Sequence, residues 1–122
     1  MMKFKQLLYI WTPVLIWCGL IFWQSSRTLP VVGRTYNQDW LIKNLAHVLE
    51  YFILYIFVFR SVNWQKEKVN YLYPLIFIIL YGISDEIHQS FVPGRTAWWG
   101  DVGFDTLGGL LAGLILRVKY SS

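Results

Sequence analysis

Four long apolar stretches alternate with shorter polar stretches along this chain. Residues 7–23 contain no charged side chain, residues 42–59 and 71–92 are apolar over most of their length, and residues 102–118 follow the same pattern. At about 1.5 Å per residue, each stretch can span or nearly span a hydrocarbon core of about 30 Å. The pattern predicts an all-α fold, a polytopic bundle of four transmembrane helices over about residues 7–24, 42–60, 71–92 and 102–118.

Polar segments with turn-forming residues separate these stretches. Residues 29–40 read as a loop with Pro30 and Gly33, residues 60–70 form a charged connector, and Pro93-Gly94 ends the third stretch. The first stretch follows two lysines, as a signal peptide does, but no convincing cleavage site follows it. We therefore expect it to remain as a helix of a single domain over residues 1–122.

The composition agrees with a membrane protein. Of the 122 residues, 56% are hydrophobic and only 15% are charged, which is more apolar than an ordinary soluble domain. The net charge of +4 comes from scattered basic residues rather than an aromatic-interleaved basic patch, so no nucleic-acid partner is expected. The single cysteine, Cys18, excludes an intrachain disulfide.

The basic residues that flank the helices predict their orientation. Because cytoplasmic loops carry an excess of Lys and Arg, the side with seven basic residues should face the cytoplasm and the side with four should face outward. Both termini are then cytoplasmic, in a multi-pass protein of the cytoplasmic membrane. The first side has Lys3, Lys5, Arg60, Lys66, Lys68, Arg117 and Lys119, and the second has Arg27, Arg34, Lys43 and Arg95.

Polar residues of three helices fall on the outer side of this arrangement. They lie near the start of the second helix, the end of the third and the start of the fourth, and these ends meet because successive helices alternate in direction. Charges within a membrane are costly unless partnered, so such a cluster is a functional-site hypothesis. Below it on the fourth helix, a face of small residues permits close helix approach, formed by Gly108, Gly109, Ala112 and Gly113.

Three motifs in this region resemble those of the VanZ-like membrane family. They are His47-x-x-Glu50-Tyr51, then Asp85-Glu86-Ile87-His88-Gln89 with Pro93-Gly94-Arg95, then Asp101-x-x-x-Asp105, and they cover roughly the last two thirds of the chain. The family comprises short, multi-spanning bacterial proteins and is named after a protein associated with resistance to the lipoglycopeptide teicoplanin. The resemblance implies a role at the bacterial cell envelope, with antibiotic resistance as one expected outcome.

The resemblance also supplies the predicted site. Ten polar positions follow from it, and Lys43 is added because it shares one stripe of the second helix with His47, Glu50 and Tyr51. The predicted catalytic residues are His47, Glu50, Tyr51, Asp85, Glu86, His88, Gln89, Asp101 and Asp105, and the predicted substrate-binding residues are Lys43 and Arg95.

Two kinds of chemistry fit these residues. Crowded carboxylates and two histidines can act as general acids and bases, with Arg95 binding a phosphate or carboxylate and neutralising Asp101 or Asp105. Alternatively, His47 with Glu50 and Asp85 with His88 can bind zinc or manganese. We favour the arrangement without metal, because the guanidinium already supplies positive charge; no cofactor is named, and a metal stays possible.

Three functions remain open on this basis. The chain could be a membrane enzyme acting on an envelope lipid or a lipid-linked cell-wall component. It could instead be a non-enzymatic factor that binds such a lipid or a lipoglycopeptide, with the polar residues as binding site or internal scaffold. A small proton-coupled transporter is the third, although no inverted repeat is visible. Membrane lipids are expected partners in each case.

Overall fold

The computed structural model describes residues 3–26, 35–64, 68–92 and 99–120, whose regular structure is entirely α-helical. Four helices follow one another along the chain: α1 (Phe4–Ser25), α2 (Tyr36–Val62), α3 (Leu72–Gln89) and α4 (Gly100–Tyr120). No strand occurs within the described ranges. The predicted all-α fold with four helices is confirmed.

Contacts between the helices show that successive helices run in opposite directions. Ser61 near the end of α2 donates to the Ile10 carbonyl near the start of α1 at 2.8 Å, whereas Gln89 and Ser25, at the ends of α3 and α1, lie 3.3 Å apart. Helix α2 packs against the other three helices and has its largest interface with α4. Within the described ranges α1 and α4 do not touch. Helix α2 is therefore the centre of the bundle.

Helix α2 begins at Tyr36 rather than at Ile42, where the sequence pattern placed its start. Thr35 has extended backbone angles and its hydroxyl accepts a hydrogen bond from the Gln38 amide at 3.2 Å, as an N-cap does. Asp39 places a negative charge in the first turn, at the positive end of the helix dipole. Most of the predicted second half of the loop is consequently helical.

Helix α3 ends at Gln89 rather than at Val92. Ser90 caps this end and its amide donates to the Glu86 carbonyl at 3.1 Å. The next two amides, of Phe91 and Val92, donate to carbonyls three residues back, which is the tighter pattern common at helix ends. The helix has therefore closed before the predicted Pro93-Gly94 break, which lies outside the described residues.

Asn63 fastens the connection between α2 and α3. Its side-chain amide nitrogen donates to the Phe59 carbonyl at 3.0 Å and to the Asn70 carbonyl at 2.9 Å, and its oxygen accepts from the Asn70 amide at 2.6 Å. The Tyr55 hydroxyl adds a bond to the Tyr71 carbonyl at 2.8 Å. These bonds hold α2 and α3 as antiparallel neighbours.

Small residues on α4 allow α2 and α3 to approach its backbone. A Cβ atom at Gly108 would overlap the Val48 carbonyl oxygen of α2, and one at Gly109 would lie 3.1 Å from Ile78 Cγ2 of α3. Ala112, one turn further along the same face, is completely buried. The face of small residues seen in the sequence is therefore a helix–helix contact, and Gly108 determines how closely α4 approaches α2.

The bundle has an apolar outer surface and buries ionisable side chains beside its hydrophobic core. Asp85, Glu86, Gln89 and Asp105 are at most 4% exposed. Every helix turns large apolar side chains outward, among them Leu15, Leu49, Leu80 and Leu114, each between 59 and 64% exposed. A water-soluble monomer rarely shows extended apolar surface, whereas helices in lipid place their ionisable residues inward.

By length and composition, α1 and the Asn37–Val62 part of α2 are able to cross a membrane. Within the described residues, α3 and α4 do not meet the same criteria of length, hydropathy and charge. Helix α3 carries a run of polar residues in its last turns, which lowers its mean hydropathy. Helix α4 carries charged residues at both ends, which raises the number of charges within its length.

Charge is separated between the two ends of the bundle. The end of the bundle at which α1 and α3 end and α2 and α4 begin is called the acidic end here, and the opposite one the basic end. Toward the acidic end lie Asp39, Asp85, Glu86, Asp101 and Asp105, with Lys43 beside Asp39, and Glu50 lies at the middle of α2. The basic end has Lys3, Lys5, Arg60, Lys68, Arg117 and Lys119.

The close contact at Gly108 yields a stability prediction. Gly108→Ala should lower the midpoint of thermal unfolding in detergent, because the new methyl group must push α4 away from Val48, at a cost of about 1 to 3 kcal/mol. Gly103→Ala is the matched control on the same helix, since nothing lies within 4 Å of a Cβ at Gly103. Its midpoint should stay the same or rise, because alanine favours helix by up to about 1 kcal/mol. Equal effects of the two changes would contradict the packing described.

Candidate functional site

A buried ion pair joins α2 to α4 near the acidic end. His47 Nδ1 lies 3.0 Å from Asp105 Oδ1, and the two side chains are 13% and 2% exposed. Gly82 of α3 makes room for this carboxylate, since a Cβ at Gly82 would lie 3.1 Å from Asp105 Oδ2. Two residues proposed from the sequence are thus in direct contact, on helices far apart in the chain.

Asp85 of α3 lies beside this pair. One ligand atom from each of His47, Asp85 and Asp105 falls within 4.8 Å of the other two. Asp85 Oδ2 accepts a hydrogen bond from Gln89 Nε2 at 3.0 Å, and the same nitrogen lies 3.3 Å from Ser25 Oγ of α1. All four helices therefore contribute to one buried polar region.

Three buried polar atoms in this region have no hydrogen-bond partner: the Tyr51 hydroxyl, Asp85 Oδ1 and Gln89 Oε1. Their residues are 0, 4 and 1% exposed, respectively. Leaving such a group unpaired costs about 1 to 3 kcal/mol, and native proteins rarely do so without a reason. Unused hydrogen-bonding capacity is thus concentrated where the carboxylates meet.

Glu50 belongs to the same region. It is half-buried, and His47, Asp85 and Asp105 are close enough to interact with its carboxylate electrostatically, with Gln24 of α1 also beside it. Its backbone carbonyl accepts a hydrogen bond from Trp17 Nε1 at 2.8 Å. We call the following residues the polar cluster: His47, Glu50, Tyr51, Asp85, Gln89 and Asp105.

The structure changes two pairings that the sequence spacing indicated. His47 contacts Asp105 of another helix, where the spacing offered Glu50, and Asp85 bonds to Gln89, where the spacing offered His88. Residues three and four positions away lie on similar faces of a helix, so spacing alone does not choose between them. The neighbouring helices make the choice.

His88 faces α1. Its Nε2 lies 2.9 Å from Ser26 Oγ, and its ring stacks on Phe22 with centroids 4.2 Å apart. Within the described residues it is not among the three grouped ligand atoms. The metal set of His47, Glu50, Asp85 and His88, weighed from the sequence, is therefore not assembled as a whole.

The remaining predicted residues have the following positions. Lys43 forms an ion pair with Asp39 at 2.9 Å, one turn before it on α2. Glu86 is buried in the last turns of α3, and Asp101 is half-buried in the first turn of α4. Arg95, and with it the predicted ion pair to Asp101 or Asp105, lies outside the described residues.

Sequence reasoning missed the contribution of α1. Ser25 and Ser26 reach Gln89 and His88, and the Cys18 carbonyl accepts a hydrogen bond from Tyr81 at 2.6 Å. The sequence feature that could have indicated this contribution of α1 is Gln24-Ser25-Ser26, a polar run directly after an uncharged apolar stretch.

A family model described as VanZ/LLP1 matches residues 9–120. The chain belongs to the VanZ/LLP1 family. The match includes most of α1, whereas the motifs noted in the sequence begin in α2. No curated protein and no solved structure matches the chain. Membership in the VanZ/LLP1 family and the two long apolar helices identify a membrane protein.

The ion pair in this VanZ/LLP1 protein predicts an energetic coupling. His47→Gln, Asp105→Asn and the double variant should show an interaction energy of about 1 to 3 kcal/mol in their free energies of unfolding in detergent. The reason is that either single change leaves the other buried polar group without its partner. Effects that simply add would show that the two side chains do not act as a pair.

Proposed function

We propose that this protein spans a bacterial cytoplasmic membrane several times and binds the polar headgroup of an envelope lipid or lipid-linked cell-wall component in its polar cluster. The observation that carries the proposal is the set of unpartnered buried atoms on Tyr51, Asp85 and Gln89. These atoms lie in a bundle whose outer surface is apolar on every helix. A lipid could present its headgroup to the cluster while its chains remain against that surface.

All four helices are proposed to lie in the membrane. Helix α3 exposes Ile76 and Leu80, and α4 exposes Leu110 and Leu114, by 40 to 61% of each residue's surface. The charges that count against these two helices lie at their ends, and Asp85 and Asp105 point into the bundle. An apolar exterior with ionisable residues turned inward is the arrangement that lipid requires.

We further propose that the basic end and both termini face the cytoplasm. In the full sequence, seven basic residues flank the helices on that side and four flank them on the other, and such an excess marks the cytoplasmic side. The polar cluster would then lie near the outer leaflet, where lipid-linked cell-wall components are used.

The orientation can be tested with single cysteines in a Cys18→Ser background. Asn37→Cys at the acidic end should react with a membrane-impermeant thiol reagent added to intact cells, because Asn37 is exposed at the start of α2. Lys68→Cys at the basic end, also exposed, should react only after the cells are opened. Labelling of Lys68→Cys alone in intact cells would reverse the proposed orientation.

The cluster's charge narrows the ligand class. The carboxylates of Glu50, Asp85 and Asp105 and the amide oxygen of Gln89 accept hydrogen bonds, so they suit hydroxyl or amino groups. A bare phosphate would be repelled by these three carboxylates, and Arg95 is the residue that we expect to bind it. Phosphatidylethanolamine, sugar-bearing polyprenyl lipids and lipoglycopeptides such as teicoplanin combine these donors with apolar chains. A contribution to resistance against such antibiotics would be one consequence of binding.

The Tyr51 hydroxyl allows binding to be separated from folding. Tyr51→Phe removes an unpartnered hydroxyl and keeps the ring, so the thermal midpoint of the lipid-free protein should not fall. Loss of one hydrogen bond should weaken binding of phosphatidylethanolamine or a sugar-bearing polyprenyl lipid about 5- to 10-fold by native mass spectrometry. Tyr73→Phe, which alters an exposed tyrosine of α3, is the matched control. Equal lipid binding by both variants would argue for a purely structural cluster.

The ion pair favours a second candidate, acid–base catalysis on the same ligand. Asp105 contacts Nδ1 of His47, so Nε2 is the ring nitrogen that this ion pair does not use. A histidine oriented in this way can accept or donate a proton at Nε2. Conversion of the bound lipid by the purified protein, lost in His47→Gln with binding retained, would support the enzyme over the binding protein.

A further inference from the structure

We infer that His47, Asp85 and Asp105 bind a divalent metal ion of the zinc or manganese type. The three residues come from α2, α3 and α4 and each brings a ligand atom within 4.8 Å of the other two. This set differs from the one indicated by the sequence spacing, because Asp105 takes the place of Glu50 and His88. The inference concerns the same cluster as the proposed headgroup site but does not depend on it.

The chemistry of the three side chains fits such an ion. One imidazole and two carboxylates form a mixed nitrogen and oxygen donor set, which suits zinc and manganese, whereas magnesium and calcium prefer oxygen alone. Ligand atoms lie about 2.0 to 2.2 Å from zinc, so atoms around one ion are roughly 3 to 3.5 Å apart. The observed separation of 3.0 Å between His47 Nδ1 and Asp105 Oδ1 already falls in this range.

A second observation points to a missing ligand at this place. Asp85 is 4% exposed, and its Oδ1 has no hydrogen-bond partner. The other oxygen, Oδ2, is held by Gln89 Nε2 at 3.0 Å, which fixes the orientation of the carboxylate and leaves Oδ1 available. Neighbouring hydrogen bonds commonly orient metal-binding carboxylates in this way.

The charge balance supports a cation. Among the described residues, His47 is the ionisable group that contacts these carboxylates with a positive charge when protonated, and Lys43 is paired with Asp39 instead. Two buried carboxylates and nearby Glu50 in an apolar bundle are costly without further positive charge. A divalent ion that replaces the Nδ1 proton of His47 would bring two positive charges for the one that is released, and it would satisfy Asp85 Oδ1.

The test uses the full chain in detergent. Protein purified without chelator should contain about one zinc or manganese ion per chain by elemental analysis. After the metal is removed with a chelator, adding zinc or manganese chloride should raise the midpoint of thermal unfolding, because an ion that binds only the folded protein stabilises it. Magnesium chloride at the same concentration should have a much smaller effect.

Asp85→Asn separates metal binding from folding. In chelator its midpoint should equal or exceed that of the wild type, since the change removes an unpaired buried charge, but its metal affinity should fall by more than about tenfold. Asp39→Asn, the same chemical change on α2 at an ion pair with Lys43, is the matched control and should keep wild-type affinity. If Asp85→Asn does not fold, His47→Gln replaces it: its midpoint in chelator should fall, because Asp105 loses its partner, and its metal affinity should still fall by more than about tenfold.

Two results would overturn the inference. One is wild-type protein that contains no metal and shows no shift of its midpoint with zinc or manganese. The other is metal binding that the changes at Asp85 and His47 leave as strong as in Asp39→Asn. All of these measurements are made without added lipid. A failure of metal binding would therefore leave the proposed headgroup binding standing, and a failure of headgroup binding would leave the metal site standing.

Discussion

The contact between the backbones of α2 and α4 at Gly108 is the constraint on which the rest of the site depends. Gly108 lies three residues after Asp105, and its backbone meets Val48, the residue next to His47. The approach that glycine permits therefore brings Asp105 to within 3.0 Å of His47 Nδ1. A wider separation would leave a carboxylate and an imidazole unpaired in apolar surroundings, where the penalty is several kcal/mol. Packing and electrostatics in this bundle thus support each other.

The polar cluster is not optimised for stability. The Tyr51 hydroxyl and Gln89 Oε1 are buried without partners, although phenylalanine and leucine side chains of similar size would avoid that cost. Functional sites often retain such unfavourable groups, because the groups that bind a ligand must be unsatisfied before it arrives. Hydrogen bonds around the cluster offset the cost of burying these unpartnered groups. The Trp17 bond to the Glu50 carbonyl and the Tyr81 bond to the Cys18 carbonyl attach α1 to the two helices that contribute most of these residues.

Much of the fold could be predicted from the sequence, because apolar stretches separated by charged or turn-forming segments identify helices in a short chain. The start of α2 could not, since the Thr35 cap lies in a segment that also contains Pro30 and Gly33 and so resembles a loop throughout. The alternating helix directions indicated that His47, Asp85 and Asp105 lie near the same end. Their partners depend on lateral packing, which periodicity does not contain: His88 turns toward Phe22 because α1 lies there, and Asp105 of α4 rather than Glu50 contacts His47.

The separation of acidic and basic residues between the two ends gives the bundle a permanent electric dipole along the membrane normal if the helices span the bilayer. A transmembrane voltage acts on such a dipole, and carrying one elementary charge through 100 mV is worth about 2.3 kcal/mol. In a cell whose interior is negative, the field favours the orientation with the basic end inside, in the same sense as the loop charges do. An energised membrane would therefore help to select the topology of this protein as it inserts, and a depolarised one would not.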